Sequence, residues 1–247
     1  MKAAIRGNVF AVVLTAGFII TMLFCAHTIK SGKNKKSEVT APKKHGTSIQ
    51  EPITKVVIDP GHGGFDGGAA GNKTGVTEDA INLKISLLVK EYLEQKNVEV
   101  ILTRQTDDAI APTKNEDMRK RRSIMHESGA SLTVSIHLNK YSDTSISGPM
   151  VFYTKGDEPS KQLAQMLIND ICAATERSPR LANPGDYFVI RNSKIPAVIV
   201  ECGFLSNATE EALLCKSDYQ NKLAIGITNG IFSFITQQIQ SSSLAMP

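Results

Sequence analysis

The chain has 247 residues, 41% hydrophobic and 21% charged, with a formal net charge of +4. Residues 1–50 carry eight Lys/Arg and one acidic residue, whereas the rest carries 20 Lys/Arg and 23 Asp/Glu. Nucleic acid is therefore a poor candidate partner, because phosphate binding needs clustered basic residues on the folded surface. The four cysteines form no C-x-x-C pair, which argues against a disulfide framework.

The N-terminal part is predicted to lie outside the folded domain. Residues 1–29 contain an apolar run from 9 to 26, longer than the roughly 7–15 residues of a cleaved signal peptide and suited to a membrane anchor of roughly 17–25 residues. Either an anchor or a signal segment places the domain outside the cytoplasm. Residues 30–52, rich in Lys, Ser, Thr and Pro, predict a flexible basic linker.

The domain is predicted over residues 53–240, with a disordered tail at 241–247. A strand at 55–59 leads into a loop with seven glycines, and Thr77 is the predicted N-cap of a helix from Glu78 to about Lys96. The further predicted elements are strands at 98–103, 131–136, 150–153, 186–190 and 197–200, and helices at 115–127, 158–175, 209–214 and 219–240. This alternation predicts a single α/β domain, with a mostly parallel open twisted sheet of about six strands and helices on both faces.

Three of these strands deliver a polar residue just past their carboxyl ends: His62, His137 and Glu201. In open α/β sheets, ligands bind in the crevice outside those ends. A lone histidine there is usually an ordinary loop residue, but two at equivalent ends, with Glu78 at a helix start, match the nitrogen and carboxylate ligands that zinc prefers. Glu201 is then left as a separate proton acceptor and donor.

The same segments resemble those of the zinc-dependent N-acetylmuramoyl-L-alanine amidases of bacterial cell walls, the amidase-3 type. The resemblance covers residues 54–236 in the right order. Its motifs are Ile58-Asp-Pro-Gly-His-Gly-Gly, Glu78-Asp-Ala-Ile-Asn-Leu, Thr103-Arg with Asp107, Ser135-Ile-His-Leu-Asn and Glu201-Cys-Gly-Phe-Leu-Ser-Asn.

This resemblance implies that His62, Glu78 and His137 bind one Zn²⁺ and that Glu201 is the catalytic carboxylate. It also implies that the enzyme hydrolyses the amide bond between N-acetylmuramic acid and L-alanine in peptidoglycan. Two other functions stay open: a catalytically weak peptidoglycan-binding module, and a metallopeptidase that cuts within the stem peptide.

Residues that contact substrate are harder to identify. Basic side chains can pair with stem-peptide carboxylates, although exposed arginines are more often merely solvated. The candidate substrate contacts are Arg104, Asn139 and Arg191, with Arg119 and Arg121 as further basic side chains in the same region.

Within the family, the chain most resembles the germination-specific amidases of spore-formers. Only 64 positions separate His137 from Glu201, too few for the inhibitory helical insertion of cell-separation amidases. That subfamily removes stem peptides from the spore cortex, a step toward the muramic-δ-lactam needed for germination. Because no wall-binding repeats follow the domain, a protein partner is expected to localise or activate the enzyme.

Overall fold

The computed structural model of the protein describes residues 54–244, which contain six strands and five helices. The strands are β1 (Lys55–Pro60), β2 (Glu99–Leu102), β3 (Leu132–Asn139), β4 (Met150–Thr154), β5 (Asn183–Gly185) and β6 (Ala197–Phe204). The helices are α1 (Glu78–Glu94), α2 (Lys114–Glu127), α3 (Glu158–Ala174), α4 (Ala208–Leu214) and α5 (Ser217–Leu244).

All six strands form one sheet in the order β2-β1-β3-β6-β4-β5. Every neighbouring pair is parallel except β4 and β6, which are antiparallel. The predicted mostly parallel sheet is therefore confirmed. Strands β1, β3 and β6 are adjacent, so their carboxyl ends lie side by side, where open α/β sheets bind ligands.

Helices cover both faces of the sheet, as predicted. Val56 and Ile58 belong to a large buried cluster that also takes in side chains of α1, α3 and α5. Val57 belongs to a second cluster, on the other face, with Met125 of α2. Burial on both faces explains why these strands are continuous apolar runs without polar alternation.

The strand predicted at residues 186–190 is wrong. Strand β5 is Asn183–Gly185, and it pairs with β4 at the sheet edge. The next residues form a turn, in which the amides of Ile190 and Arg191 donate to the Tyr187 carbonyl at 3.2 and 3.0 Å. Val189 and Ile190 pack into the second cluster, so their apolar character reflects a buried turn.

The last helix continues to Leu244, beyond the predicted end near Gln240 and into the predicted disordered tail. The hydroxyls of Ser241, Ser242 and Ser243 donate to carbonyl oxygens one turn earlier, at 2.9, 2.9 and 2.6 Å. None of the helices within residues 54–244 is both long and apolar enough to cross a membrane. The predicted anchor, linker and final three residues lie outside the described residues.

Candidate active site

The site lies where β1, β3 and β6 end. Strands β3 and β6 each run further than predicted, so His137 and Glu201 lie within them and face each other in register. His62 follows two residues after β1. Pairing of three parallel strands thus brings together residues that are far apart in the sequence.

Three side chains converge into one group at this edge. Potential ligand atoms of His62, Glu78 and His137 all lie within 4.8 Å of one another. Nε2 of His62 is 3.2 Å from Oε1 of Glu78, and Nδ1 of His137 is 3.0 Å from the same oxygen. The structure therefore brings together the three predicted ligands in an arrangement that could hold a metal ion.

Backbone amides hold Glu78 at the start of α1. Its Oε2 accepts from the Ala69 amide at 2.9 Å, and its Oε1 accepts from the Leu138 amide at 3.0 Å. Burial alone would raise the pKa of Glu78, but the bonds with His137 and His62 outweigh it and hold the pKa well below the usual range. Glu78 is therefore an ionised carboxylate, as a metal ligand must be.

His62 is oriented by its backbone and by a second carboxylate. Its φ of 63° lies in the left-handed region, which is uncommon for a residue other than glycine. Its Nδ1 is 3.1 Å from Oδ2 of Asp66, which also pairs with Lys114 at 3.0 Å. A carboxylate on one ring nitrogen leaves the other, Nε2, to face the group, a common arrangement for metal-binding histidines.

Two glycines of the loop leave room for these side chains. A Cβ atom added at Gly61 would lie 2.2–2.6 Å from ring atoms of His137. One added at Gly68 would lie 2.6 Å from Oε2 of Glu78 and 2.8 Å from the His62 ring. Real Cβ contacts are not this short, so the loop requires glycine where it packs against the group.

Glu201 lies outside the group formed by His62, Glu78 and His137, but it is close enough for their charges to affect its pKa. Its Oε2 is buried and has no hydrogen-bond partner among residues 54–244. Burial raises the pKa of Glu201 to about 7, with His137 opposing and the charge of Glu78 adding to the rise. A carboxyl group whose pKa is close to neutral can both accept and return a proton.

A cavity of about 180 Å³ adjoins the group. Its lining includes His62, His137, Asp66, Lys114, Tyr187 and Phe188. Tyr187 and Phe188 form an aromatic wall and come from the turn that was predicted as a strand. Their adjacent aromatic side chains were the sequence feature that could have indicated this wall. Larger cavities of about 670 and 640 Å³ in the described part open elsewhere, and neither is lined by a predicted site residue.

The three predicted substrate contacts differ in their surroundings. Arg104 is only 3% exposed, and its guanidinium donates to four backbone carbonyls, which argues against the prediction that it contacts substrate. Asn139 ends β3, where its Oδ1 accepts from the Lys140 amide at 2.8 Å. Arg191 is exposed and pairs with Asp186 at 2.6 Å. Substrate contact by Asn139 and Arg191 stays a prediction.

The fold and this site define a class of enzyme. Residues 56–233 match the amidase-3 family, N-acetylmuramoyl-L-alanine amidase, and the chain belongs to it. The protein is thus a hydrolase of the cell-wall amidase class, as the motifs predicted.

Two sequence relatives and one solved structure show which amidases the chain is similar to. The chain is 34% identical over 192 residues to the germination-specific N-acetylmuramoyl-L-alanine amidase of Bacillus subtilis (strain 168), covering 74% of this chain and 80% of the relative. It is 28% identical to that organism's sporulation-specific amidase over 193 residues, 77% of this chain and 72% of the relative. Among solved structures, the CwlD amidase of Clostridioides difficile in complex with the GerS lipoprotein has 33% identity and a TM-score of 0.72, covering 74% and 99% of the two chains.

Proposed function

We propose that the enzyme holds one Zn²⁺ with His62, Glu78 and His137 and uses it to cleave the bond between N-acetylmuramic acid and L-alanine. The convergence of these three side chains within 4.8 Å carries the proposal. Two imidazole nitrogens and an ionised carboxylate form a His₂Glu ligand set, which leaves a fourth position for water or substrate in catalytic zinc sites. Gly61 and Gly68 lack the side-chain atoms that would crowd His137, Glu78 and His62, which is consistent with a metal site here.

The chain's own residues divide the remaining chemistry. When bound, zinc lowers the pKa of water and polarises the substrate carbonyl. Glu201 accepts the proton of the attacking water and then donates it to the L-alanine nitrogen as the amide bond breaks. Tyr187 and Phe188 form an apolar wall beside the reacting groups. Asn139 and Arg191 are the proposed contacts to the polymer.

The spore cortex is the proposed substrate. Relatives named germination-specific and sporulation-specific support it, and removal of stem peptides there would precede formation of muramic-δ-lactam. Such action is extracytoplasmic, with membrane attachment through residues 1–29. The solved complex of CwlD with a lipoprotein supports an activating or localising protein partner for this chain as well.

The role of Glu201 is tested by Glu201→Gln, which keeps the side chain's size but cannot accept the proton. Purified variant and wild type are compared for zinc content by mass spectrometry and for peptidoglycan cleavage by chromatography of products. We expect about one zinc in both and a loss of turnover of at least roughly 10²-fold in the variant. Glu176→Gln, at an exposed ion pair with Lys222, is the matched control.

Normal cleavage by E201Q would refute the role of Glu201. Product masses also separate the alternatives. New L-alanine amino termini identify the amidase, cuts inside the stem identify a metallopeptidase, and binding without cleavage by wild type identifies a binding module. Spores that lack the protein should contain no muramic-δ-lactam, and a normal cortex would refute the cortex role.

A further inference from the structure

Two buried arginines contact the loop that contains His62. Arg121 is 2% exposed and Arg104 is 3% exposed. Arginine is almost never fully buried unless it is paired, because its charge is costly to remove from water. Neither side chain has a part in the proposed reaction, so their burial at this site requires another explanation.

Arg121 reaches the loop from α2. Its Nη1 donates to the Pro60 carbonyl at 2.6 Å and its Nη2 donates to the His62 carbonyl at 2.5 Å. Two carboxylates compensate its charge: Asp59 is 2.9 Å from Nη1, and Asp117 is 2.5 Å from Nε. All three nitrogens of the guanidinium therefore have partners in fixed directions.

Arg104 approaches the same loop from the residues after β2. Its Nε donates to the Pro60 carbonyl at 3.0 Å, and its Nη2 donates to the Gly61 carbonyl at 3.1 Å. Three consecutive carbonyls, those of residues 60, 61 and 62, thus each accept from an arginine, and the first accepts from both. We call this arrangement of Arg104 and Arg121 the arginine cradle.

The loop needs such support for a physical reason. Strand β1 ends at Pro60, so the carbonyls that follow have no strand partner for a continued ladder. His62 also adopts the left-handed conformation, and such backbone persists only where its surroundings hold it in place. The planar guanidinium offers several donors at fixed angles, whereas a lysine ammonium is a single flexible point charge.

We propose that the arginine cradle consists of positioning residues, which hold residues 60–62 so that the His62 imidazole is already directed at the metal before it binds. This inference rests on the proposed zinc site. It predicts that the cradle contributes to metal affinity, beyond any contribution to folding. Groups that orient a ligand from outside the metal's own shell typically change affinity 10–100-fold when altered.

The test replaces each arginine by lysine, which keeps the charge but loses the fixed donors. Zinc dissociation constants of the metal-free R104K and R121K proteins are measured by competition with a chelator. The absorption spectrum after cobalt substitution reports ligand geometry. The matched control is Arg177→Lys, since Arg177 is partly buried and, like Arg121, pairs with a buried carboxylate, Glu210, at 2.7 Å. Thermal unfolding of each metal-free protein measures stability separately.

We expect zinc affinity to fall at least about 10-fold in R104K and R121K, with an altered cobalt spectrum, and to stay within about 2-fold in R177K. If R121K does not fold, Asp117→Asn tests the same link, because it leaves Arg121 in place but removes the charge at Nε. Folded cradle variants with wild-type zinc affinity and spectrum would overturn this inference alone. Wild-type protein that binds no zinc would refute the proposed function and this inference together.

Discussion

At the scale of single residues, the site depends on where side chains are missing as well as on where they are present. Gly68 and Gly75 lie in the same loop with nearly the same φ, 68° and 70°. A Cβ at Gly68 would collide with Glu78 and His62, whereas one at Gly75 would have no described atom within 4 Å apart from its own chain neighbours. Substitutions at the two positions therefore distinguish the effect of backbone strain from the effect of crowding His62 and Glu78.

Gly68→Ala should therefore weaken zinc binding at least about 10-fold, because Glu78 must move away from its ligand position. Gly75→Ala should cost about 1 kcal/mol of stability through its left-handed backbone and leave zinc affinity unchanged. Chelator competition and urea unfolding of both variants provide the comparison. Equal zinc affinity in the two variants would contradict this account of Gly68.

The pH dependence of activity should report Glu201. A base is active when deprotonated, so activity falls as the pH drops through its pKa. Burial raises that pKa from 4.5 to about 7, and a bound cation would lower it again by attraction. The acid limb of kcat/KM should thus lie between pH 4.5 and about 7 in the zinc enzyme. A limb that persists unchanged in the residual activity of E201Q would argue for another group.

At the scale of elements, the first turn of α4 holds the glycine-rich loop. Glu211 is fully buried and accepts from the amides of Lys73 and Thr74, at 3.0 and 2.6 Å, and from the Thr74 hydroxyl at 2.7 Å. A Cβ at Gly71 would meet the same carboxylate at 2.4 Å. One helix thus fixes the part of the loop that lies beyond Gly68.

Glu211→Gln should destabilise the protein by about 1–3 kcal/mol, since the amide group cannot accept on both of its terminal atoms. Hydrogen exchange at Lys73 and Thr74 should accelerate before that of the sheet. The matched control is Glu158→Gln, whose exposed pair with Lys161 should be worth at most about 1 kcal/mol. Unchanged exchange at residues 73 and 74 would show that α4 does not hold the loop.

At the scale of the whole molecule, Asp59 joins the central strands to α2. It is 1% exposed and accepts from Arg121, Ser135 and Thr103. Burial alone would raise the pKa of Asp59, but Arg121 and the two hydroxyls hold it below the usual 3.8. The folded state therefore favours the ionised form more than the unfolded chain does.

The sign of the pH effect follows. This stabilisation is complete above the unfolded pKa near 3.8 and is lost as the pH falls through the lower folded pKa. Asp59→Asn should cost about 3–5 kcal/mol at pH 7, because Arg121 loses one of its two buried carboxylate partners and keeps only Asp117. The difference from wild type should narrow below about pH 4, as urea unfolding between pH 7 and pH 3 would show. A difference that stays constant between pH 7 and pH 3 would show that Asp59 is not the source of the pH effect. The control is Asp186→Asn, whose exposed pair with Arg191 should contribute little to stability.

Short sequence patterns predicted most of the strands and helices, because the periodicity of apolar residues within a segment indicates its secondary structure. Apolar runs and helical spacing located five of the six strands and all five helices within residues 54–244 to within a few residues. The pattern failed at residues 186–190, where a turn is as apolar as a strand because Val189 and Ile190 pack into the second buried cluster. It also missed the helical residues 241–244, whose serines bond their own backbone.

The sequence by itself determined the family, the α/β architecture and the three residues that converge on the metal group. Carboxyl ends of adjacent parallel strands meet at one edge, so motifs at those ends meet regardless of the details between them. Only the tertiary structure placed the Arg104 side chain against the backbone carbonyls of the loop. Its carbonyl partners at Pro60, Gly61, Asp79 and Thr106 come from separate segments, and burial of a charge depends on their assembly.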